Sequence, residues 1–208
     1  MNLGTPVLQR LPLYLRTLRS WAAKGATSVS GVELARTLGL DPIVVRKDLA
    51  RTGVRGTPRV GFSIERLIPE LERLTGADAE MTAVLVGVGK LGSALLGYPG
   101  FRRQGLSIAA GFDAMPERCN IILAGVPVFP VNTLTETVLR MGATLGILTV
   151  PADRAQRVAE QLVAGGVKAI WNFTPVQLDV PETVLVQRED LAVSLAVLLH
   201  RMRERNAE

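Results

Sequence analysis

One glycine-rich run constrains the fold of this chain more than any other feature: Gly87-Val88-Gly89-Lys90-Leu91-Gly92. It directly follows an apolar segment, residues 82–86, and opens a helical pattern at residues 91–96. In such a unit the first glycine makes a tight turn, the second lets the backbone approach a pyrophosphate, and the third permits close helix packing. The N–H groups at the start of the helix face the phosphates. The spacing therefore predicts a dinucleotide site on a Rossmann-type sheet.

Strand-like and helix-like segments alternate along the chain after this loop. Further strands are predicted at residues 106–112, 145–150, 168–171 and 184–186, with helices at residues 134–141 and 152–162. Alternation of this kind is typical of a doubly wound parallel sheet covered by helices on both faces. We therefore expect an α/β domain over residues 78–186.

Asp113 ends the second predicted strand of this domain. A carboxylate at this position accepts hydrogen bonds from both hydroxyls of an adenosine ribose. The same negative charge would repel a 2′-phosphate. The predicted cofactor is therefore NADH or NAD⁺ rather than a 2′-phosphorylated dinucleotide.

The positive charge of the chain is concentrated near the N-terminus. Residues 1–75 contain 12 Lys/Arg and 6 Asp/Glu, a balance of +6, whereas residues 76–208 contain 12 and 13, a balance of −1. An excess of this size on a small domain suggests a polyanionic partner.

Local signals in this basic part predict a helix-turn-helix. Apolar residues at helical spacing mark a first helix over residues 6–21. Ser30 begins a capping box for a second helix, which Gly39 ends. Asp41 then caps a third helix that starts with Pro42. Two short helices joined by a tight turn make this motif.

The segment after the third helix predicts a wing. Residues 53–62 are rich in Gly, Arg and Pro, which favours a β-hairpin, and residues 64–74 have helical periodicity. A polar break at residues 75–80 follows. We therefore expect a winged-helix domain over residues 1–77.

Five cations fall on the predicted recognition helix and wing: Arg46, Lys47, Arg51, Arg55 and Arg59. Cationic side chains on such a helix reach guanine edges and phosphates in the major groove, and a wing arginine can enter the minor groove. This clustering predicts binding to double-stranded DNA.

Several classes of protein are disfavoured by the sequence. Cys119 and His200 are single residues of their types, which excludes an internal disulfide and a Cys/His metal cluster within one chain. His200 lies in an apolar segment, so we expect neither a catalytic triad nor an enzyme. No apolar run is long enough to span a bilayer and the start lacks a signal-peptide layout, so we expect a cytoplasmic location.

The chain resembles the Rex family of redox-sensing transcriptional repressors over nearly its whole length. The resemblance is carried by residues 10–16 (RLPLYLR), 45–49 (VRKDL), 87–95 (GVGKLGSAL), 98–101 (YPGF), 149–152 (TVPA) and 172–175 (NFTP). It implies a homodimeric winged-helix protein whose Rossmann domain binds NADH and NAD⁺ and whose operator is palindromic.

The resemblance also implies roles for individual residues. Lys47 would read bases and Arg46 would bind phosphate, with Arg10 as a further DNA contact. Beside the glycine loop and Asp113, cofactor contacts are implied for Val150, Pro151 and Asn172. The triad implied for the switch between DNA and cofactor consists of Arg16, Tyr98 and Asp190. Residues 187–208 would form a C-terminal dimerisation helix that is swapped between subunits, since residues 191–199 are apolar nearly all round.

The chain departs from the usual family pattern at several places. Arg51-Thr52 replaces an aromatic pair, and the wing reads GTPRVGF at residues 56–62, with its arginine shifted by one position. Cys119-Asn120 stands where a glycine is common, and Leu191 stands where some relatives have an aromatic residue. Operator preference and the adenosine pocket are therefore expected to differ in detail.

Two other functions compete with this interpretation. A winged-helix regulator could sense another nucleotide, such as CoA, with the same sheet. An NAD-dependent dehydrogenase would need a proton donor at the nicotinamide and a substrate domain, and the sequence offers little of either.

Overall fold

A computed structural model describes residues 3–205, except for the side chain of Leu191. The chain forms two compact units. The first runs to Glu80 and includes Arg103–Gly105, and the second comprises Met81–Arg102 and the chain from Leu106 onward.

The first unit is a helical domain with a two-stranded sheet. Its elements are α1 (Thr5–Ala22), β1 (Ser28–Val29), α2 (Gly31–Leu38), α3 (Pro42–Ala50), β2 (Phe62–Ser63) and α4 (Ile64–Thr75). The predicted caps are confirmed: the Ser30 side chain accepts from the Glu33 N–H, Gly39 ends α2 with φ 64°, and Asp41 accepts from two N–H groups of α3. Fully buried leucines from α1, α2, α3 and α4 form the core.

The wing differs from the predicted hairpin. Within residues 53–62, Thr57 and Gly61 form a bridge across a short turn, but Phe62 pairs with Val29 of β1. Gly61 has φ 93°, and a Cβ there would collide with the Val29 carbonyl oxygen. The wing is therefore anchored to β1, a strand that the sequence patterns did not predict.

The second unit is a seven-stranded sheet flanked by helices. Its elements are β3 (Met81–Val86), α5 (Lys90–Leu96), β4 (Leu106–Asp113), β5 (Ile121–Leu123), β6 (Val126–Pro130), α6 (Leu134–Met141), β7 (Leu145–Leu148), α7 (Ala152–Ala164), β8 (Ala169–Asn172), β9 (Leu185–Arg188) and α8 (Leu191–Arg205). The strand order is β5-β6-β4-β3-β7-β8-β9, and only the β5–β6 pair is antiparallel. The predicted Rossmann-type architecture is confirmed.

The order of the strands places the ligand crevice. From β3 the chain moves outward through β4 and β6, and it then returns to β7 on the other side of β3. Ligands of open α/β sheets bind at such a switch point, outside the carboxyl ends of the strands. The glycine loop follows β3 at this position.

Helix α8 presents apolar side chains to solvent in the single chain. About half of the surface of each of these residues is exposed: Val193, Leu195, Val197, Leu198, Leu199 and Met202. The predicted role of Leu191 concerns a side chain outside the described residues. Among the residues described, no helix has the length and apolar character needed to cross a membrane.

Candidate dinucleotide and nucleic-acid sites

The glycine loop is closed on itself and on the neighbouring strand. Gly87 has φ 98°, and a Cβ there would lie 2.6 Å from the Thr149 carbonyl oxygen. A Cβ at Gly92 would collide with the Gly87 carbonyl oxygen. Both positions therefore require glycine. Gly89 precedes α5 without a side-chain cap, so the loop leaves N–H groups of the first turn for a ligand.

Thr149 fastens the loop at the end of β7. Its hydroxyl donates toward the carbonyl oxygens of Gly87 (2.8 Å) and Val86 (3.1 Å), and its N–H donates to Val86 (2.9 Å). Thr149 belongs to the TVPA segment at residues 149–152, but the sequence patterns predicted no role for its side chain. Its position directly after a strand that borders the switch point is the signal that identifies it.

Asp113 clamps the loop from the other side. The carboxylate is buried, and its Oδ2 accepts the Val88 N–H at 2.6 Å while Oδ1 accepts the Met115 N–H at 2.9 Å. The Arg118 guanidinium lies 3.7 Å from Oδ2. Each carboxylate oxygen keeps lone pairs beyond these bonds. Asp113 therefore orders the glycine loop in addition to the predicted ribose contact.

A cavity of about 1010 Å³ lies beside the loop. Its lining includes Gly87, Gly89 and Asp113 from the loop region, and Val150 and Pro151 before α7. Its remaining lining residues include three arginines absent from the sequence prediction: Arg118, Arg154 and Arg157. With Asp113 they give the charged lining a formal balance of +2. Such a balance favours a ligand with a pyrophosphate.

Asn172, predicted as a cofactor contact, bonds within the loop that follows β8. It is fully buried at the end of β8, and its amide oxygen accepts from the N–H and hydroxyl of Thr174. Its amide nitrogen donates to the Val176 carbonyl. These bonds shape the loop after β8, and the Asn172 side chain is fully buried. Lys90 and Leu91 are exposed at the start of α5, and Val88 is buried.

The predicted switch residues Tyr98, Asp190 and Arg16 lie after α5, before α8 and on α1, respectively. Tyr98 follows α5 and is 53% exposed. Asp190 precedes α8, where its Oδ1 accepts the N–H groups of Ala192 (3.0 Å) and Val193 (3.2 Å). Arg16 is exposed on α1 of the first unit. Asp190 thus caps α8, in addition to the switch role predicted for it.

The recognition helix is orientated by a buried acid. Asp48 of α3 accepts from Arg10 Nε at 2.7 Å, from Arg10 Nη2 at 3.1 Å and from the Tyr14 hydroxyl at 2.8 Å. The Asp48 side chain is 3% exposed. Its neighbours Arg46 and Lys47 are exposed. By holding Asp48, Arg10 and Tyr14 of α1 orientate α3 so that Arg46 and Lys47 face solvent.

Arg10, predicted to contact DNA, also bonds to the recognition helix from α1. Two of its nitrogens are bonded to Asp48, and its side chain is 22% exposed. The hydrogen bond to Asp48 raises the pKa of Arg10. Burial and the hydrogen bond to Asp48 raise the pKa of Tyr14 well above its ordinary value. Arg10 positions the recognition helix through Asp48.

The wing presents its cations to solvent. Arg55 and Arg59 of the wing are exposed, as is Arg51 at the end of α3. Arg59 lies at the tip with φ 64°, a left-handed conformation that is uncommon for residues other than glycine. The Thr57 N–H donates to the Gly61 carbonyl at 2.7 Å and fixes this turn. The tip therefore presents an arginine at a small conformational cost.

Comparison with known protein families finds a match in each unit. Residues 2–50 match the family described as "Putative DNA-binding protein N-terminus". Residues 78–176 match the family described as "CoA binding domain".

Curated relatives match the chain over nearly its full length. A redox-sensing transcriptional repressor Rex from Porphyromonas gingivalis is 42% identical over 95% of this chain and 91% of the relative. The Rex protein of Treponema denticola is 40% identical over 94% of this chain and 93% of its own. The Rex protein of Streptomyces coelicolor is 38% identical over 96% of this chain and 78% of its own length.

Solved structures agree with these matches. The crystal structure of RSP in complex with β-NAD⁺ and operator DNA has a TM-score of 0.89 and 31% identity, covering 100% of this chain and 95% of that one. RSP in complex with β-NADH has a TM-score of 0.85 and 30% identity, covering 100% and 97%.

A winged-helix unit and a dinucleotide-type α/β unit in one chain define a transcription regulator with a built-in ligand domain. The relatives and solved structures identify the kind of regulator. The chain belongs to the Rex family of redox-sensing transcriptional repressors.

Proposed function

We propose that this chain is a homodimeric repressor that binds a palindromic operator and leaves it when NADH occupies the cavity of the second unit. The observation that carries the proposal is the combination, in one chain, of a clamped glycine loop beside a cavity and a recognition helix with outward cations. The RSP structures with β-NADH and with β-NAD⁺ and operator DNA support it.

The cofactor is held by the loop and the cavity in this proposal. The backbone from Gly87 to Gly92 receives the pyrophosphate, and Asp113 receives the ribose hydroxyls with its remaining lone pairs. Val150 and Pro151 supply cavity wall. The three cavity arginines add positive charge beside the phosphates. Asn172 contributes indirectly, through the loop that it orders.

On DNA, α3 enters the major groove. Lys47 reads base edges, and Arg46 binds backbone phosphate. Arg51 at the end of α3 and Arg55 and Arg59 in the wing extend the positive surface. Since DNA carries the operator, we place the protein in the cytoplasm.

Dimerisation uses α8. Its apolar residues are exposed in the single chain, and exchange between two copies would bury them in the partner subunit. The double variant Leu195→Glu with Leu198→Glu should convert a dimer to monomers in analytical ultracentrifugation. Arg203→Glu on the same helix is the matched control and should remain dimeric. A dimer that survives the double change would contradict this interface.

Redox sensing follows from competition between the two ligands. Arg16, Tyr98 and Asp190 are the residues that we assign to the switch. A coupling free energy of about 1–3 kcal/mol corresponds to a change of about 5- to 150-fold in affinity, and it acts equally in both directions. DNA that the chain prefers must therefore weaken NADH binding by the same factor by which NADH weakens DNA binding.

The test uses DNA that the protein itself selects. Duplexes are selected from random-sequence DNA with the unliganded chain, and NADH is then titrated by fluorescence with and without the selected duplex. NADH should bind more weakly when the duplex is present, and NAD⁺ should show a smaller difference. Equal NADH affinities in the two titrations would refute the proposal.

Variants of α3 test the DNA assignment. Lys47→Ala should relax sequence preference, whereas Arg46→Ala should weaken all DNA alike and reduce the salt slope by roughly one unit. Arg140→Ala, which removes an exposed cation from the second unit, should change neither property. Unchanged binding by both α3 variants would contradict the roles given to them.

The match of residues 78–176 to the CoA binding domain keeps a second candidate, a sensor of another nucleotide. Calorimetry with NADH, NADPH and CoA separates the two. The proposal requires NADH to bind most tightly, because Asp113 favours an unmodified ribose.

A further inference from the structure

Tyr98 is fixed by its immediate neighbours. Its ring lies over Gly100, where an added Cβ would overlap the ring and stand 2.7 Å from the hydroxyl oxygen. The ring of Phe101 meets it edge to face, with centroids 5.0 Å apart and planes at 75°. The position of the Tyr98 ring therefore depends on Gly100 and on Phe101.

Phe101 connects Tyr98 to strand β8. Its ring centroid lies 5.5 Å from that of Trp171, with the planes at 66°. Trp171 also packs against Phe173 at 4.9 Å and against the core between α5 and the sheet. Aromatic pairs at these distances and angles attract each other, so the rings form one packed group.

Trp171 connects this group to the start of α8. Its indole Nε1–H donates to Glu189 Oε1 at 3.0 Å, and the Glu189 N–H donates to the Asn172 carbonyl at 2.9 Å. The next residue, Asp190, caps α8. The first residues before α8 are thus fastened to β8 by one side-chain bond and one main-chain bond.

We propose that Trp171 is a positioning residue that couples Tyr98 to the start of α8. Tyr98 and Asp190 lie at the two ends of one continuous set of contacts, through Phe101, Trp171 and Glu189. A displacement of Tyr98 moves Phe101 against Trp171, and Trp171 changes the hydrogen bond that orientates the approach to α8. This inference rests on the proposed function, because it assigns a path within the second unit to the competition between NADH and DNA.

Three variants test the hydrogen bond at the centre of this path. Trp171→Phe keeps an aromatic ring but lacks the N–H donor, and Glu189→Ala lacks the acceptor. Glu189→Gln keeps an acceptor oxygen of the same reach. The readout is the coupling factor, the ratio of NADH dissociation constants with and without the selected duplex. Neither Trp171 nor Glu189 lines the cavity, so NADH affinity without DNA should change by less than about twofold.

The expected result is a reduction of the coupling factor by at least about threefold in both Trp171→Phe and Glu189→Ala, with no further reduction in the double variant. Glu189→Gln should retain most of the coupling. Glu182→Ala is the matched control, since it removes an exposed glutamate ahead of β9 and should leave coupling unchanged. Gly100→Ala perturbs the other end by displacing the Tyr98 ring, and it should also reduce coupling.

Emission from Trp171 checks that the hydrogen bond has been broken. In a Trp21→Phe background Trp171 is the only tryptophan, and Glu189→Ala should shift its emission. Wild-type coupling in both Trp171→Phe and Glu189→Ala would overturn the inference while leaving the proposed function intact. A wild-type chain without any coupling would overturn both.

Discussion

The buried network around Asp48 leads to a sharp prediction for Tyr14→Phe. The substitution removes only the hydroxyl that donates to Asp48 Oδ2 at 2.8 Å, and it leaves no cavity because the ring is retained. A hydrogen bond to a charged group contributes about 1.5–3 kcal/mol. Arg10 still donates two hydrogen bonds to the carboxylate, so we expect a loss near the lower end, about 1.5 kcal/mol in the free energy of unfolding.

The assay follows the first unit of the full chain by tryptophan fluorescence. In a Trp171→Phe background the remaining tryptophan is Trp21, at the end of α1. Urea unfolding then gives the stability of the unit that contains Tyr14. Tyr98→Phe is the matched control, because it makes the same chemical change at an exposed tyrosine and should leave this transition unchanged.

The same substitution should weaken DNA binding, because Asp48 orientates the helix that carries Lys47. Affinity for the selected duplex should fall several-fold while NADH affinity in the absence of DNA stays constant. A free energy of unfolding within about 0.5 kcal/mol of the parent would refute the contribution assigned to this bond. Unchanged DNA affinity alongside a lower stability would refute the orienting role alone.

Because of Tyr14, we expect the free energy of unfolding to depend on pH in the alkaline range. The pKa of Tyr14 is raised in the folded chain by burial first and by Asp48 second, from an ordinary value of 10.0. The neutral phenol is therefore the form that the fold stabilises, so the contribution is complete below the unfolded pKa. It is lost as the pH rises above about 10 toward the raised pKa. Stability of the parent should fall over this range more steeply than that of Tyr14→Phe.

Three further outcomes follow from the described contacts. Gly92→Ala should lower NADH affinity by at least about 1.4 kcal/mol, or tenfold, since the new Cβ collides with the Gly87 carbonyl oxygen. Gly97→Ala is the control, because its Cβ meets only ordinary contacts, and NADH titration of both variants should show the loss in Gly92→Ala alone. Arg59→Gly should raise the stability of the first unit by up to about 1 kcal/mol, because it relieves a left-handed φ, while weakening DNA binding in gel shifts; loss of stability would contradict the strain. Burial raises the pKa of the Cys119 thiol, so a thiol reagent should label it slowly until denaturant is added, and rapid labelling of the folded chain would contradict its placement.

Features fixed by short stretches of sequence were predictable. The caps at Ser30, Gly39 and Asp41 depend on residues within one helical turn, and the structure confirms them. The glycine loop depends on a strand and a helix that adjoin it directly. These local rules give both the helix-turn-helix and the position of the dinucleotide loop.

Features that depend on contacts between distant segments were missed or placed differently. Arg10 and Asp48 are 38 residues apart, and no local pattern pairs them, although Asp48 shares a helix face with Val45. Strand β6 was overlooked because Pro127 and Pro130 disfavour a strand in the sequence. The cavity arginines at 154 and 157 lie on α7, and only the folded sheet brings them beside the loop.

The burial of Cys119 separates the sensing of NADH and NAD⁺ from the oxidation of a thiol. Cys119 is the single cysteine of the chain. Its thiol donates a hydrogen bond toward the carbonyl oxygens of Asp113 and Met115, and burial raises its pKa and so disfavours the thiolate. Peroxides react with thiolates, so an oxidant has little to attack in the folded chain. A repressor built in this way would report the state of a diffusible electron carrier without interference from oxidation of its own thiol.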